Sequence, residues 1–375
     1  MGGSPAGNSP KAAAVNRVDD VSFTRPLVRA LRQHVKAAAA SMPDLAPDVR
    51  WRAAVAWVYT SALVAWAEDH DLVDPFLRVG ARQLREAFLG LPGADMRTWL
   101  AGSYASLAVH PSTRCLIDPR WTSLHEGMPS EDACRALVAW WSDGAPSLAY
   151  ECETGPASIT GWLVGDLLQE LSDTRREGNA LCQTPWWIAD GIIDRTLIPA
   201  AREFRKEEAL PAIDPTCGTG HFLIRLVDYQ WELYTTGAMA SRQMRAPGVS
   251  GWTPVGPEEA IRRILTGITG VELDPLTTAV ARLRMVVTVA HKMHGAGLLE
   301  GPLRLDTIPD TVRPRVMVGD SLLAGKVPPE HYYRLRPEHA AIYGWSAGSV
   351  SQAATSPGSE PEQLDLFDLD VRNPA

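Results

Sequence analysis

An acidic residue followed by a glycine-rich turn constrains the fold of this chain more than any other segment. It lies in residues 213–223, which read Ile-Asp-Pro-Thr-Cys-Gly-Thr-Gly-His-Phe-Leu. Gly218 and Gly220 lack a Cβ, so the backbone can take a positive φ there and approach a ligand closely. Ligands of open α/β sheets bind at the carboxyl ends of the strands. The segment therefore predicts a ligand-binding loop in which Asp214 faces a cationic or hydroxyl-bearing group.

The second half of the chain alternates short apolar strands with helical segments, which is typical of a parallel α/β sheet. The predicted order is βαβαβ, with a strand ending at Ile213, a helix from Phe222, a strand over Ile268–Leu273, a helix over Pro275–Val289 and a strand over Arg315–Val318. Residues 229–258 have weak periodicity and are predicted to form a loop or lid. We expect this α/β domain to span residues 179–345.

The first half is predicted to be helical, because apolar residues such as Leu27, Leu31 and Val35 recur at the spacing of one helix face. A helical domain is expected over residues 21–178, after a disordered leader in residues 1–20. The uncharged run Ala53–Ala67 is shorter than the roughly 20 residues of a membrane span, which favours a buried core helix. Residues 346–375 are predicted to be a disordered tail.

Composition limits the classes of partner. The 375 residues carry a formal net charge of −8, which argues against coating nucleic acid through bulk charge and leaves only local contacts. The five cysteines include no CxxC pair and no metal-ligand spacing, so neither a disulfide framework nor a metal site is expected. Reduced thiols of this kind predict a cytoplasmic protein.

Four segments then follow one another in an order that identifies a family. They are residues 183–188 (Gln-Thr-Pro-Trp-Trp-Ile), the glycine loop, residues 270–275 (Gly-Val-Glu-Leu-Asp-Pro) and residues 316–323 (Val-Met-Val-Gly-Asp-Ser-Leu-Leu). Together they resemble N6-adenine DNA methyltransferases, most closely the large PglX-like enzymes of bacterial phage-defence systems and the related type IIG restriction-modification enzymes. The resemblance covers roughly residues 150–325. It implies a class I, Rossmann-like methyltransferase fold, S-adenosyl-L-methionine as cofactor, and methyl transfer to adenine N6 in double-stranded DNA.

The resemblance also implies roles for individual residues. Thr184 and Pro185 cover the methionine end of the cofactor, with Thr184 as the predicted N-cap and Pro185 as the first residue of a helix. Glu272 accepts hydrogen bonds from both ribose hydroxyls, Asp320 accepts one from the adenine amino group, and Leu322 lines the adenine ring. The glycine loop contributes Asp214, Pro215, Cys217, Gly218 and Gly220. An NAD enzyme is disfavoured, because Glu272 lies much further from Gly220 than the roughly 20 residues of a dinucleotide fingerprint.

The catalytic motif of the family, Asn-Pro-Pro followed by an aromatic residue at the end of the fourth strand, does not occur in this sequence. In the family, the Asn oxygen and a proline carbonyl accept the hydrogens of the flipped adenine's amino group, and the aromatic ring stacks on the base. Asn373 and Pro374 are weak candidates for this role. Because the fourth strand pairs beside the first, the first strand is expected to be an open edge. A companion chain that carries the motif and the target-recognition part is one expectation. The alternative is a non-catalytic S-adenosylmethionine-binding subunit or regulator that is tethered to the DNA sliding clamp.

Two further surfaces leave alternatives open. Gln363, Leu364, Leu366 and Phe367 resemble the peptide with which bacterial proteins dock into the replication sliding clamp, while residues 367–375 also resemble a vestigial fourth strand or a plain tail. Near the start of the chain, cations line one predicted helix face opposite the apolar one. This stripe, made of Arg25, Arg29, Arg32 and Lys36, suits either phosphate contacts or, as the acidic net charge favours, a solvated face.

Overall fold

The computed structural model describes residues 17–149, 156–172, 182–204, 209–243 and 247–345. The tail residues Gln363, Leu364, Leu366, Phe367, Asn373 and Pro374 lie outside these ranges, so the clamp-docking and fourth-strand hypotheses for the tail stay predictions. The first helix begins at Arg17, within the stretch expected to be a leader.

The first half of the described chain is helical. Its α-helices are α1 (Arg17–Ala40), α2 (Pro47–Asp69), α3 (Arg82–Leu89), α4 (Met96–Ala105), α5 (Glu131–Asp143) and α6 (Trp162–Leu171). Short 3₁₀ helices connect them at Val79–Ala81, Ser106–Ala108, Pro111–Leu116, Ser123–His125 and Ser158–Thr160. Every residue of the uncharged run in α2 is buried, as expected of a helix that is apolar on all sides. The prediction of a core helix at this position is confirmed. No helix within the described ranges is long and apolar enough to cross a membrane.

The second half forms a small parallel sheet with helices packed on it. In chain order its elements are α7 (Trp186–Glu203), β1 (Ala212–Asp214), α8 (His221–Thr236), β2 (Ala238–Met239), β3 (Val249–Ser250), α9 (Pro257–Gly267), β4 (Ile268–Glu272), α10 (Pro275–Gly295), β5 (Arg315–Val318), α11 (Pro329–Leu335) and α12 (Pro337–Tyr343). The three parallel strands have the order β1-β4-β5, and their positions match the prediction to within a residue. The segment predicted as a loop contains instead the end of α8, α9's first turn and the antiparallel pair β2–β3.

Packing explains why the glycine loop lies directly over the central strand. A Cβ on Gly270 in β4 would lie 2.7 Å from Leu223 Cδ1 and 3.1 Å from Cys217 Sγ, so only glycine leaves room for these side chains. On the other side of the loop, Asp274 caps α10 by accepting a 2.8 Å hydrogen bond from the backbone N–H of Thr277. One continuous hydrophobic cluster runs from Leu27 in α1 to Val318 in β5. The carboxyl ends of all three strands therefore meet beside the loop.

Candidate functional site

A cavity of about 360 Å³ lies at the carboxyl ends of β1, β4 and β5. Its size is within the usual range of small-molecule sites. Its lining includes most of the residues that the sequence proposes for the cofactor site, namely Thr184, Asp214, Pro215, Cys217, Gly218, Glu272, Asp320 and Leu322. Pro185 and Gly220 do not line it and instead shape the backbone around it. Four segments that are far apart in the sequence thus meet around one space.

The bend of the loop depends on its two glycines. Gly218 has a φ of 55° and Gly220 a φ of 90°, in the left-handed region that favours glycine. The backbone N–H of Cys217 donates a 2.9 Å hydrogen bond to the Val271 carbonyl, which holds the loop against β4. Gly220 is the N-cap of α8, so the chain turns from loop to helix without an intervening linker.

Gly220→Ala is expected to destabilise the protein by about 1–2 kcal/mol, because the new Cβ is strained at this φ and lies 3.3 Å from Ala281 Cβ. Gly191→Ala is a matched control. Gly191 lies inside α7 with open space around it, so the same substitution there stabilises the helix by roughly 0.5–1 kcal/mol. Denaturant unfolding of both variants measures the difference, and equal effects at the two positions would contradict this account of the loop.

Asp214, at the end of β1, has an incompletely satisfied carboxylate. Its Oδ1 accepts a 3.2 Å hydrogen bond from the Thr216 N–H, whereas Oδ2 is buried and has no hydrogen-bond partner among the described residues. Burial raises the pKa of Asp214 above its ordinary value, since removal from water disfavours the charged form. A cation or hydrogen-bond donor in the cavity would bond to Oδ2 and would stabilise the charged form of the carboxylate.

Glu272, at the end of β4, is buried and already bonded to the loop. Its Oε2 accepts a 2.9 Å hydrogen bond from the Gly218 N–H, and its Oε1 accepts a 3.1 Å bond from the Asp274 N–H. Burial raises the pKa of this carboxyl, and the two backbone hydrogen bonds act in the opposite direction. Each oxygen keeps a further lone pair, so Glu272 can receive ligand hydroxyls while it holds the glycine loop in place.

Asp320 follows β5 and has a partner that the sequence did not reveal. Its Oδ2 accepts hydrogen bonds from Arg336 Nε at 3.1 Å and Nη2 at 2.5 Å, and its Oδ1 accepts one from the Leu322 N–H at 3.0 Å. Burial acts to raise the pKa of Asp320, but these hydrogen bonds outweigh it and lower the pKa. Leu322 is 74% exposed, so its side chain offers an uncovered apolar surface at the mouth of the cavity.

The Thr-Pro segment sits beside the loop, with helix α7 starting one residue later than predicted. Pro185 is the N-cap, and its carbonyl accepts the N–H groups of Ile188 at 2.9 Å and Ala189 at 3.0 Å. Thr184 is therefore outside the helix rather than its cap. It still lines the cavity.

Sequence reasoning missed His221, the first residue of α8. Its ring is buried and stacks on Trp162 with centroids 3.9 Å apart and 4° between the planes. Its Nε2 lies 3.6 Å from Asp166 Oδ1. Burial holds the pKa of His221 well below its ordinary value, and the nearby Arg284 adds to this, so the imidazole is neutral. The one signal for His221 in the sequence is its position directly after Gly220 of the glycine loop.

The cationic stripe on α1 faces a separate and larger cavity. Arg25, Arg29, Arg32 and Lys36 line a space of about 720 Å³ whose opposite wall includes Trp162 of α6. Asp166 and Glu170 line the same space, and Arg32 donates 2.9 and 2.6 Å hydrogen bonds to the Glu170 carbonyl. Gln183 lines both this cavity and the one at the glycine loop, so the two spaces are neighbours.

Comparison with known proteins gives one curated relative. The adenine-specific methyltransferase PglX of Streptomyces coelicolor is 31% identical over 292 residues, which is 72% of this chain and 22% of PglX. The chain thus spans about a fifth of the length of that relative. No family model matches the chain.

Two solved structures are also similar to parts of the chain. One is DrdV in complex with DNA, at 14% identity over 88% of this chain and 26% of that chain, with a TM-score of 0.33. The other is the type IIL restriction-modification enzyme MmeI in complex with DNA, at 13% identity over 90% of this chain and 47% of that chain, with a TM-score of 0.35. TM-scores of this size do not establish a shared fold.

Proposed function

Since the chain belongs to the adenine-specific methyltransferase family, we propose that it binds S-adenosylmethionine and acts in methyl transfer to adenine N6 of double-stranded DNA. Its α/β part is proposed to be the cofactor-binding part of a class I methyltransferase. When bound, the cofactor supplies a methyl group attached to a sulfonium. The residues described above would bind and orient it.

The observation that carries the proposal is the buried Oδ2 of Asp214 in the cavity beside the glycine loop, which has no hydrogen-bond partner among the described residues. S-adenosylmethionine has an ammonium group and a sulfonium, and its ribose and adenine add hydrogen-bond donors. Among the described residues, Asp214, Glu272 and Asp320 contribute three carboxylates to the cavity, and Arg336 contributes a cation. This charge pattern suits a ligand that is cationic near one end and rich in donors elsewhere.

Glu272 and Asp320 have distinct proposed tasks. Glu272 receives the ribose hydroxyls while keeping its bond to Gly218, so cofactor binding and loop position are linked. Asp320 receives the adenine amino group on the lone pairs that Arg336 leaves free, and Leu322 covers the ring. Thr184 covers the methionine end from the other side.

The edge of the sheet supports the proposal of a companion segment. Among the described strands β1 is an edge, and Ile213 on it is 54% exposed. Beside it lies a groove of about 400 Å³ whose lining includes Ile192, Leu197 and Phe222. We propose that a strand from a companion chain, carrying the family's Asn-Pro-Pro-aromatic motif, pairs with β1 and presents adenine to the methyl group. Apolar side chains of that strand would fill the groove.

The test separates cofactor binding from catalysis. Titration calorimetry with S-adenosylmethionine measures binding, and mass spectrometry of DNA incubated with the chain measures N6-methyladenine. Binding that is followed by methylation only after a companion chain with the motif is added supports both proposals. Binding with no methylation in either case supports the alternative of a non-catalytic cofactor-binding subunit. Methylation by this chain alone would contradict the proposed companion strand. Failure to bind S-adenosylmethionine would contradict the proposed cofactor site.

A further inference from the structure

We propose that a second cavity, remote from the glycine loop, is a binding site for phosphate groups. It has a volume of about 650 Å³ and lies beside the amino end of β5. Five arginines line it: Arg114, Arg120, Arg282, Arg313 and Arg315. The facing carboxylates are Asp118 and Asp310. The chain has a net charge of −8, so a local cluster of guanidinium groups around one cavity indicates an anionic ligand.

The arginines come from three separate segments. Arg114 and Arg120 lie in and just after the 3₁₀ helix Pro111–Leu116, Arg282 lies in α10, and Arg313 and Arg315 lead into β5. Folding therefore creates a cationic surface that no local stretch of sequence displays. Like charges brought together repel each other, and an anion bound between them would reduce this repulsion.

Among the described residues, most of these arginines are not in an ion pair with a carboxylate. Arg120 pairs with Asp118 at 2.6 Å. Within the described residues, Arg114, Arg282, Arg313 and Arg315 form no ion pair. Arg313 uses its Nε only to donate a 3.0 Å hydrogen bond to the backbone carbonyl of Asp310.

Two of the arginines also keep unused hydrogen-bond donors. The Nε atoms of Arg282 and Arg315 are enclosed and have no acceptor in the part of the chain that the structure describes. Both side chains are held in place, because the Arg282 guanidinium lies 5.5 Å from the centre of the Trp121 ring and Arg315 Nη1 donates a 3.1 Å bond to the Thr266 carbonyl. A fixed, planar guanidinium matches the oxygens of a phosphate in a bidentate fork.

This site is distinct from the proposed cofactor cavity. Arg315 begins β5 and Asp320 follows its end, so the two cavities lie at opposite ends of a strand of four residues, or about 13 Å of chain. The site does not depend on the proposed function. Its ligand carries closely spaced phosphates, which are found both in a DNA backbone and in a nucleotide polyphosphate.

The test uses inorganic tripolyphosphate, titrated calorimetrically into the whole chain at low salt. We expect binding that weakens as salt rises, and that weakens at least about tenfold in the double variant R114Q/R313Q, because the variant loses two positive charges and their hydrogen bonds to phosphate oxygens. Both side chains are exposed, so the fold should tolerate the change. The double variant R135Q/R334Q removes two exposed arginines that line neither this site nor the cavity beside α1, and it is the matched control. Its affinity for tripolyphosphate should equal that of the unchanged chain.

A second measurement needs no variant. Tripolyphosphate should protect Arg114 and Arg313 from phenylglyoxal, as read by mass spectrometry. A short DNA duplex then distinguishes the two sources of phosphate. Weaker duplex binding by R114Q/R313Q than by the control identifies the DNA backbone, and unchanged duplex binding identifies a small phosphate compound. No tripolyphosphate binding by the unchanged chain, or equal weakening in both double variants, overturns the proposal.

Discussion

Asp214→Asn is expected to weaken S-adenosylmethionine binding by about 10- to 100-fold, because the variant loses a hydrogen bond from a charged group to the carboxylate. The same substitution should leave the protein without ligand at least as stable as before. The native carboxylate has a buried oxygen without a partner in the described part of the chain, and a neutral amide loses less solvation there than a charged carboxylate does. Calorimetric titration and thermal unfolding measure the two effects. Weaker cofactor binding together with unchanged or higher stability would indicate that the carboxylate of Asp214 serves ligand binding rather than folding.

The pH dependence of Asp214→Asn has a defined sign. Burial raises the pKa of Asp214 in the folded state, so its protonated form is favoured there and stability is lost as pH rises through that pKa. The stability difference between the variant and the native chain should therefore be largest near neutral pH and shrink as the native carboxyl becomes protonated in acid. A difference that grew toward acid pH would contradict this account.

Glu272→Gln is the matched control for Asp214→Asn. Both Glu272 oxygens accept backbone N–H groups, so an amide there must turn its NH₂ toward Gly218 or Asp274. We expect a loss of about 1–3 kcal/mol in the free energy of unfolding, along with weaker cofactor binding. Two carboxylates in one cavity thus differ, because one is satisfied by the protein and the other is not.

The sequence was sufficient for features that depend on neighbouring residues. The prediction was correct for the strand positions, for the parallel sheet and for the convergence of Asp214, Glu272 and Asp320. A short apolar run indicates a strand, and a carboxylate directly after it indicates the carboxyl end, where ligands of such sheets bind. The class I identity of the fold and the role of each residue stay predictions. The helix at the Thr-Pro segment begins one residue later than predicted, with Pro185 rather than Thr184 as its N-cap.

Contacts between distant segments could not be predicted in this way. The pair of Arg336 with Asp320, the stack of Trp162 on His221 and the arginines around the second cavity each join residues from separate elements. Their partners are set by how helices pack on the sheet, which a single sequence does not state. The clearest case is Arg284, whose sequence context predicts only a helix but whose guanidinium connects three parts of the fold.

Arg284→Met is expected to lower the free energy of unfolding by roughly 3 kcal/mol, since it leaves two buried backbone carbonyls without their hydrogen-bond donor. The Arg284 side chain is fully buried. Its Nε donates to the Thr160 carbonyl at 3.1 Å, and its Nη1 donates to the Thr219 carbonyl at 2.7 Å and hydroxyl at 2.9 Å. Burial lowers its pKa to about 10, which still leaves it charged at neutral pH. Methionine fills a similar space but leaves both carbonyls without a donor.

Loss of the hydrogen bonds from Arg284 to Thr219 is expected to affect cofactor binding as well as stability. Thr219 lies between the two glycines of the loop, so Arg284→Met should also weaken S-adenosylmethionine binding, whereas Arg284→Lys, which keeps one donor group, should lose less of both properties. Arg262→Met is the control, because that side chain is 62% exposed and pairs with Glu259 one turn away on the helix surface, which predicts a change within about 0.5 kcal/mol. Denaturant unfolding and calorimetric titration separate the cases. A variant that loses stability but binds the cofactor normally would show that Arg284 stabilises the packing of the helices and does not position the glycine loop.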